Sequence, residues 1–353
     1  MTATSAVVVY SGDGGVAIER RAVRPLGSRE ILLRVRACGL CGTDLFKLQN
    51  DSVAHGTVLG HELVATVENV GDEVSGVVVG ERVVVPHHVS CGTCASCLAG
   101  AEPLCPAFRE NLLDPGGFSE LVIVREKAVR EAIYRFSDSV ADEAAIFLEP
   151  AACVVRGVRR SGIFDNTRSS TSPIAVILGA GSMGLLHLLV LKAMNPSAQV
   201  IISDFDENRR NLARTLGADV VAEPSSLASA VTTRSKGIGV DAVFDTAGRP
   251  DSLGDHVALL RGGGTIVLFA HGANGRRAGF DFNDFFKREC RMIATYSSSL
   301  SDQIVAHQLI EVARLDASAL VTHVLPFSRF HEAVELCRQR QALKVLMVPE
   351  GET

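Results

Sequence analysis

A cysteine, a histidine and a glutamate stand within one short stretch of this chain, Cys41 to Glu62 (CGTDLFKLQNDSVAHGTVLGHE). Thiolate, imidazole and carboxylate are together the ligand types that a catalytic zinc takes. Cys41 and the adjacent His61–Glu62 pair are too far apart for one helical turn, so the fold must bring them together. Asp44 follows the cysteine by three residues, and a carboxylate is the usual group that orients a ligand histidine. The competing reading is a buried cysteine and an unrelated surface His–Glu dipeptide; the residues downstream argue sharply against it.

A second cluster lies in HVSCGTCASCLAGAEPLC, where Cys91, Cys94, Cys97 and Cys105 have the spacing C-x2-C-x2-C-x7-C. Four thiolates on one short glycine-containing lobe can close a tetrahedral shell around zinc, with no position left open. Iron–sulfur ligation is the rival chemistry, because its cysteine runs also begin C-x2-C-x2-C.

These side chains need a rigid frame. Ala6 to Tyr10 and Ile31 to Ala37 are short β-rich runs separated by glycine turns, and LVATVENVG, GVVVGERVVV and GGFSELVIV read as further valine-rich strands. A β-barrel-like domain is expected over the first 150 residues. Ser161 to Pro173 is polar and turn-rich, a linker. Beyond it, IAVILGAGSMGLLHLLVLKAM reads as a buried strand, a glycine loop and a helix. Gly179, Gly181 and Gly184, with Ser182 and Met183 between the last two, form G-x-G-x-x-G in the strand–turn–helix setting that gives the motif meaning. The first glycine permits the tight turn, the second lets a pyrophosphate approach the backbone, and the third lets helix and strand pack closely. The helix N-terminus supplies N–H donors and a positive dipole to phosphate.

The next strand ends in Asp204, twenty residues beyond Gly184. A carboxylate there accepts from the adenosine ribose hydroxyls and repels a 2′-phosphate, favouring NAD over NADP. Arg209 and Arg210 on the following helix could soften that preference by reaching a phosphate; for Arg210 a solvated helix face is the competing reading. Strands VDAVFDTAG, GGGTIVLFAHG and CRMIATYSS alternate with helical stretches, the pattern of a doubly wound parallel sheet.

At 353 residues there is room for two domains, each with its own core. A formal charge of −5 and the absence of any basic run argue against a nucleic-acid surface. The first residues lack a signal-peptide pattern, and no apolar stretch approaches the roughly 20 residues of a membrane span. The expectation is a soluble cytoplasmic protein, in which nine cysteines are ligands or reduced thiols rather than disulfides.

CGTD, GHE and the four-cysteine run, continued by GGFSE at 116–120 and EP at 149–150, make the chain resemble the zinc-dependent medium-chain dehydrogenase/reductase family, nearest its polyol-type branch with sorbitol and threonine dehydrogenases. The resemblance covers essentially the whole chain. It implies an α/β fold: a Rossmann NAD-binding domain over 151–299 and a β-rich GroES-like catalytic domain formed by 1–150 and 300–353. It implies two zinc ions per chain, a structural one on Cys91, Cys94, Cys97 and Cys105 and a catalytic one drawing on Cys41, His61, Glu62 and Glu149. Glu149 stands where polyol-type members place a carboxylate, and either it or Glu62 can approach zinc or hold its water. Thr43 resembles the residue that passes the substrate proton outward. Arg209, Phe269 to His271 and Thr295 to Ser297 match positions that face the cofactor, which makes His271 a cofactor-loop residue rather than a catalytic one. Cys38 and Cys153 are read as packing residues, and His87, His88 and His187 as ordinary ones.

The chain departs from the family at Phe46, where a relay histidine is frequent; water, the cofactor ribose or His55 could replace it. Lys47 stands where sorbitol-type members carry an aromatic residue, and could face a phosphate, a carboxylate or water. Ser297 and Ser298 replace an Arg–Tyr pair, so the substrate pocket is not the sorbitol one. The implied reaction is hydride transfer between NAD and a secondary hydroxyl of a polyol, sugar or cyclitol, with an aminocyclitol as a narrower option. Simple primary or secondary alcohols are the alternative substrates, and a non-catalytic NAD-binding zinc protein is the alternative class. A homodimer or homotetramer is expected.

Overall fold

The computed structural model describes residues 3–50, 52–165, 172–270, 272 and 275–351. His271 and the middle of the expected linker lie outside them. The chain divides into two compact units, Met1–Glu149 with Ser299–Thr353, and Pro150–Ser298.

The first unit is built on the strand Ile31–Gly39, whose period-two pattern buries Ile31, Leu33 and Val35 and turns Arg34 and Arg36 outward. It pairs antiparallel with Glu62–Val70 and with Leu121–Val124 at one end, and with Lys344–Val348 at the other. Gly39 lies opposite Glu62 on one side and opposite Leu346 on the other. This register brings the first residues of two distant strands to one end of the sheet. Val321–Pro326 adds a parallel neighbour to Lys344–Val348, and Thr4–Gly12 and Gly15–Ala22 form a separate hairpin. The core between these strands holds Leu33, Leu63, Val64, Val67, Val83, Phe118, Val122 and Met347.

One local expectation changes, and one element appears where none was assigned. GVVVGERVVV is not one long strand: only Arg82–Val84 is, while Val78 and Val79 are about 60% exposed in a turn. Gly76 and Gly80 on either side have φ of 75° and 91°, which breaks the extended run. CGTDLFKLQ, which carries no strong helical periodicity, forms the helix Gly42–Gln49.

The second unit is a six-stranded parallel sheet in the order Val220–Ala222, Gln199–Ser203, Ile174–Leu178, Val240–Asp245, Leu260–Leu268, Arg291–Ala294. Its inner strands are buried nearly throughout, as expected of a sheet covered on both faces. Strand order reverses direction between Ile174–Leu178 and Val240–Asp245, the switch point of a Rossmann-type sheet. No helix among the described residues is long and apolar enough to cross a membrane.

Candidate functional site

Cys41 caps the N-terminus of the Gly42–Gln49 helix. Its Sγ accepts from the Thr43 N–H at 3.5 Å, and Asp44 completes a capping box by accepting the Cys41 N–H at 3.0 Å. A thiolate in this position is favoured by the positive helix end. The other Asp44 oxygen lies 3.4 Å from His61 Nδ1 and accepts the Gly60 N–H. Burial alone would raise the Asp44 carboxyl, but the charge and hydrogen bond of His61 hold it low. Burial likewise works against a charged His61, yet Asp44 and Cys41 raise that imidazole well above its ordinary range. With Nδ1 held by Asp44, Nε2 is the nitrogen left for a metal.

Glu62 is buried at the head of Glu62–Val70. Its Oε2 accepts from Lys344 Nζ at 2.6 Å, and its Oε1 is buried with no partner among the described residues. A side chain at Gly39 would collide with this carboxylate, so glycine is required there. One donor atom from each of Cys41, His61 and Glu62 lies within 4.8 Å of the others. A buried carboxylate with one partnerless oxygen, close to a thiolate and an imidazole, suits a divalent cation, and these three residues fit zinc. Glu149, half-buried in the first turn of the Leu148–Ser161 helix, is not within that group, although its charge acts on Lys344. Burial opposes the Lys344 ammonium, but Glu62, Cys41 and Glu149 raise its pKa.

In the cysteine lobe all four sulfurs lie within 4.8 Å of one another. Cys94 Sγ is 3.5 Å and Cys91 Sγ 3.9 Å from Cys97 Sγ. Zinc–sulfur bonds of about 2.3 Å put tetrahedral sulfurs about 3.8 Å apart, so the spacing suits zinc without rearrangement. The Thr93 N–H and hydroxyl and the Cys94 N–H hold the Cys91 thiol down at about 5, while burial and neighbouring thiols push Cys97 up to about 11. Such a set ionises fully only around a cation. Gly92 and Gly100, with φ of 74° and 71°, let the short lobe fold back on itself.

In the parallel-sheet unit Gly179, Asp204 and Phe269 lie just past the carboxyl ends of their strands. Gly179 adopts φ 96°, and a side chain at Gly184 would overlap the Gly179 carbonyl. The Ser182–Met194 helix has no side-chain cap, leaving its first N–H groups for an anion. Asp204 accepts the Ala180 N–H at 2.7 Å, tying this carboxylate to the glycine loop. Arg209 reaches over Gly181, with Nη1 3.7 Å from where its Cβ would stand. Arg210 does not lie on a solvated face: it donates to the Asp204 and Phe205 carbonyls and pairs with Glu223. The Phe269 N–H bonds the Asp245 carbonyl and the Thr295 N–H that of Leu268, and Ser297 has φ 55°.

Sequence reasoning passed over two groups. The His87 ring lies 4.6 Å from the His61 ring and 3.7 Å from that of His88, and its buried Nδ1 has no partner among the described residues. The adjacent dipeptide His87–His88 before the cysteine lobe was the one available signal. Lys344 carried none, because nothing local marks its partner. Cys38 packs instead against Gly60 and Gly117.

The alcohol dehydrogenase GroES-like domain matches residues 27–132, and the zinc-binding dehydrogenase domain matches residues 182–313. The L-threonine 3-dehydrogenase of Bacillus subtilis (strain 168) is 28% identical over 98% of this chain and 98% of its own length. The sorbitol dehydrogenase of Halalkalibacterium halodurans is 26% identical, covering 97% of this chain and 98% of its own. The solved alcohol dehydrogenase TADH from Thermus sp. ATN1 superposes with a TM-score of 0.84 at 24% identity, over 98% of this chain and all of that one.

Proposed function

We propose that this chain, which belongs to the zinc-dependent medium-chain dehydrogenases and is an NAD(P)-linked oxidoreductase, transfers hydride between NAD and a secondary hydroxyl of a polyol, sugar or cyclitol. The observation that carries the reading is the convergence of Cys41, His61 and Glu62 within 4.8 Å, from a helix cap and a strand end. Bound there, zinc would supply Lewis-acid polarisation of the substrate hydroxyl, and the dinucleotide would accept the hydride. The protein's own residues do the rest. Asp44 fixes the His61 ring, Thr43 in the first helical turn takes the hydroxyl proton and passes it outward, and Lys344 offsets the charge of Glu62. Glu149 is the further carboxylate candidate for the catalytic metal, and the four-cysteine lobe holds the structural one.

Asp204 supports NAD over NADP. Polyols and cyclitols are favoured because Glu149 supplies the carboxylate of the polyol type, and because the relatives include enzymes named for sorbitol and threonine. The domains we assign are 1–150 with 300–353 for catalysis and 151–299 for the dinucleotide, in a cytoplasmic homodimer or homotetramer. The test is NADH formation by the zinc-loaded protein across short alcohols, alditols, inositols and aminocyclitols, repeated with NADP. Turnover confined to polyhydroxylated compounds is the expected result; turnover of short alcohols alone would overturn the substrate class, and none at all the reaction.

A further inference from the structure

Two buried polar atoms of the second unit, His187 Nε2 and Thr295 Oγ1, have no hydrogen-bond partner among the described residues, and both lie close to one spot on the Leu148–Ser161 helix. A Cβ built on Gly157 would stand 3.9 Å from the first and 3.7 Å from the second, with Phe269 Cδ2 at 3.6 Å. These are ordinary contact distances, so alanine would fit at 157 without displacing a neighbour. Glycine is a poor helix former, and its use in a helix interior where a methyl group fits calls for another reason. The surroundings offer a polar one. The atoms that a methyl group would cover are a ring nitrogen and a hydroxyl, each costly to bury unpaired.

The other contacts of the ring settle what Nε2 can do. Nδ1 lies 2.7 Å from the Met183 carbonyl, which can only accept, so Nδ1 carries the hydrogen. Burial keeps the ring neutral, and Nε2 is then an acceptor alone. The Thr295 hydroxyl can donate, but it is out of hydrogen-bond reach of Nε2. Two such atoms, each within 3.9 Å of a single point yet apart from one another, suit a bridging water that donates to Nε2 and accepts from the hydroxyl. The ring also stands edge-on to Phe269, with centroids 4.5 Å apart. Met183 is in the first turn of the Ser182–Met194 helix, Phe269 follows the strand Leu260–Leu268, and Thr295 follows Arg291–Ala294. His187 thus joins the start of the glycine-loop helix to the ends of two strands.

We propose that His187 is a positioning residue for the dinucleotide: its Nε2, through a water seated on Gly157, orients the Thr295 hydroxyl, while its ring backs Phe269. The two strand-end loops are thereby set against the glycine-loop helix before the cofactor arrives. This rests on the reading of the second unit as the dinucleotide-binding one. His187 acts through Thr295 and Phe269, not by contact with the cofactor, and Gly157 is the seat that admits the water.

The test measures NADH affinity of the zinc-loaded protein by fluorescence titration, with thermal melting as the check on folding, in wild type, G157A, T295V, T295S and the G157A/T295V double variant. G157A puts a methyl group where the water sits. It should melt no lower than wild type, yet bind NADH at least about threefold more weakly, the scale of one neutral hydrogen bond. T295V removes the hydroxyl at nearly constant shape and should weaken binding at least as much, whereas T295S keeps the hydroxyl and should bind as wild type does. Because both changes break one bridge, the double variant should bind no more weakly than T295V alone. The bridge is also read without cofactor, by nitrogen NMR of isotope-labelled histidine. The Nε2 resonance that disappears in H187F should move toward that of an unbonded ring nitrogen in G157A and in T295V. An Nε2 resonance unmoved by either variant, or losses of affinity that add in the double variant, would overturn the bridge. NADH bound by wild type and undiminished in G157A and T295V would sink the positioning role and leave the dinucleotide reading standing. Binding of neither NADH nor NADPH by wild type would sink that reading, and the role with it.

Discussion

Lys344 Nζ and Glu62 Oε2 meet at 2.6 Å in the interior of the first unit, although 282 residues separate them in sequence. Both strands that carry them flank the Gly39 end of Ile31–Gly39, and that residue has no side chain to come between them. The Lys344 ammonium also lies 5.8 Å from the centre of the Phe147 ring. The pair occupies one Glu62 oxygen and leaves the other buried with no partner among the described residues. Buried ion pairs contribute little net stability, but removing one member strands the other as an uncompensated charge.

Lys344→Met should therefore destabilise the protein by about 3–5 kcal/mol. The double variant K344M/E62Q should recover much of that loss, since neither buried charge remains. Urea unfolding of wild type, both single variants and the double variant measures the coupling. Additive losses would mean that the pair does not act as a unit.

Much of the site was legible because metal-binding side chains are few in kind. Cys41, His61, Glu62 and the four lobe cysteines announce themselves by type and spacing, and the glycine loop by its setting between strand and helix. Lys344 was not legible: in KVLMV it reads as the polar start of a buried strand, and only sheet register reveals its partner. His87 was passed over for a similar reason, because what a ring stacks on is a tertiary fact. The Val78–Val79 turn misled in the opposite direction, since β-branched residues favour a strand until glycines of positive φ on both sides forbid one. No element was assigned to Gly42–Gln49 from the sequence; its cap is a cysteine, which is not among the usual capping residues.

The two donor clusters share no residues, so their metals should be separable. Cys41→Ser should lower bound zinc from two equivalents per chain to one, and Cys97→Ser should also leave one. Only the latter should loosen the lobe, seen as faster amide exchange across 91–105. Elemental analysis after gel filtration checks the counts. Loss of both ions in Cys41→Ser would contradict two independent sites.

Gly184 packs its helix against the Gly179 carbonyl, with no room for a methyl group. Gly184→Ala should push the helix N-terminus from the glycine loop and weaken NADH binding by at least about tenfold. Zinc content should be unaffected, because no group of three or more metal donors lies in that unit among the described residues. Quenching of NADH fluorescence on titration gives the affinity. Wild-type affinity in this variant would exclude the loop from phosphate binding.

His187 makes the second unit sensitive to acid in a way that can be isolated. Its ring is fully buried, with Nδ1 2.7 Å from the Met183 carbonyl and its edge against Phe269. Burial holds its pKa down at about 4, against 6.5 for the free group, with the Met183 carbonyl only partly offsetting this. The unfolded chain therefore binds a proton between those two values that the folded chain refuses, and stability must rise with pH across that window. The contribution is complete above about pH 6.5 and is lost as pH falls toward 4, a change of about 3 kcal/mol. His187→Leu keeps an apolar group of similar size on the helix and removes the titration. The stability of wild type minus that of His187→Leu, from urea unfolding at several pH values, should fall by about that amount over the window. Acid release of metal is common to both proteins and cancels in the difference. A difference that stays flat with pH would mean that His187 takes up its proton as readily folded as unfolded.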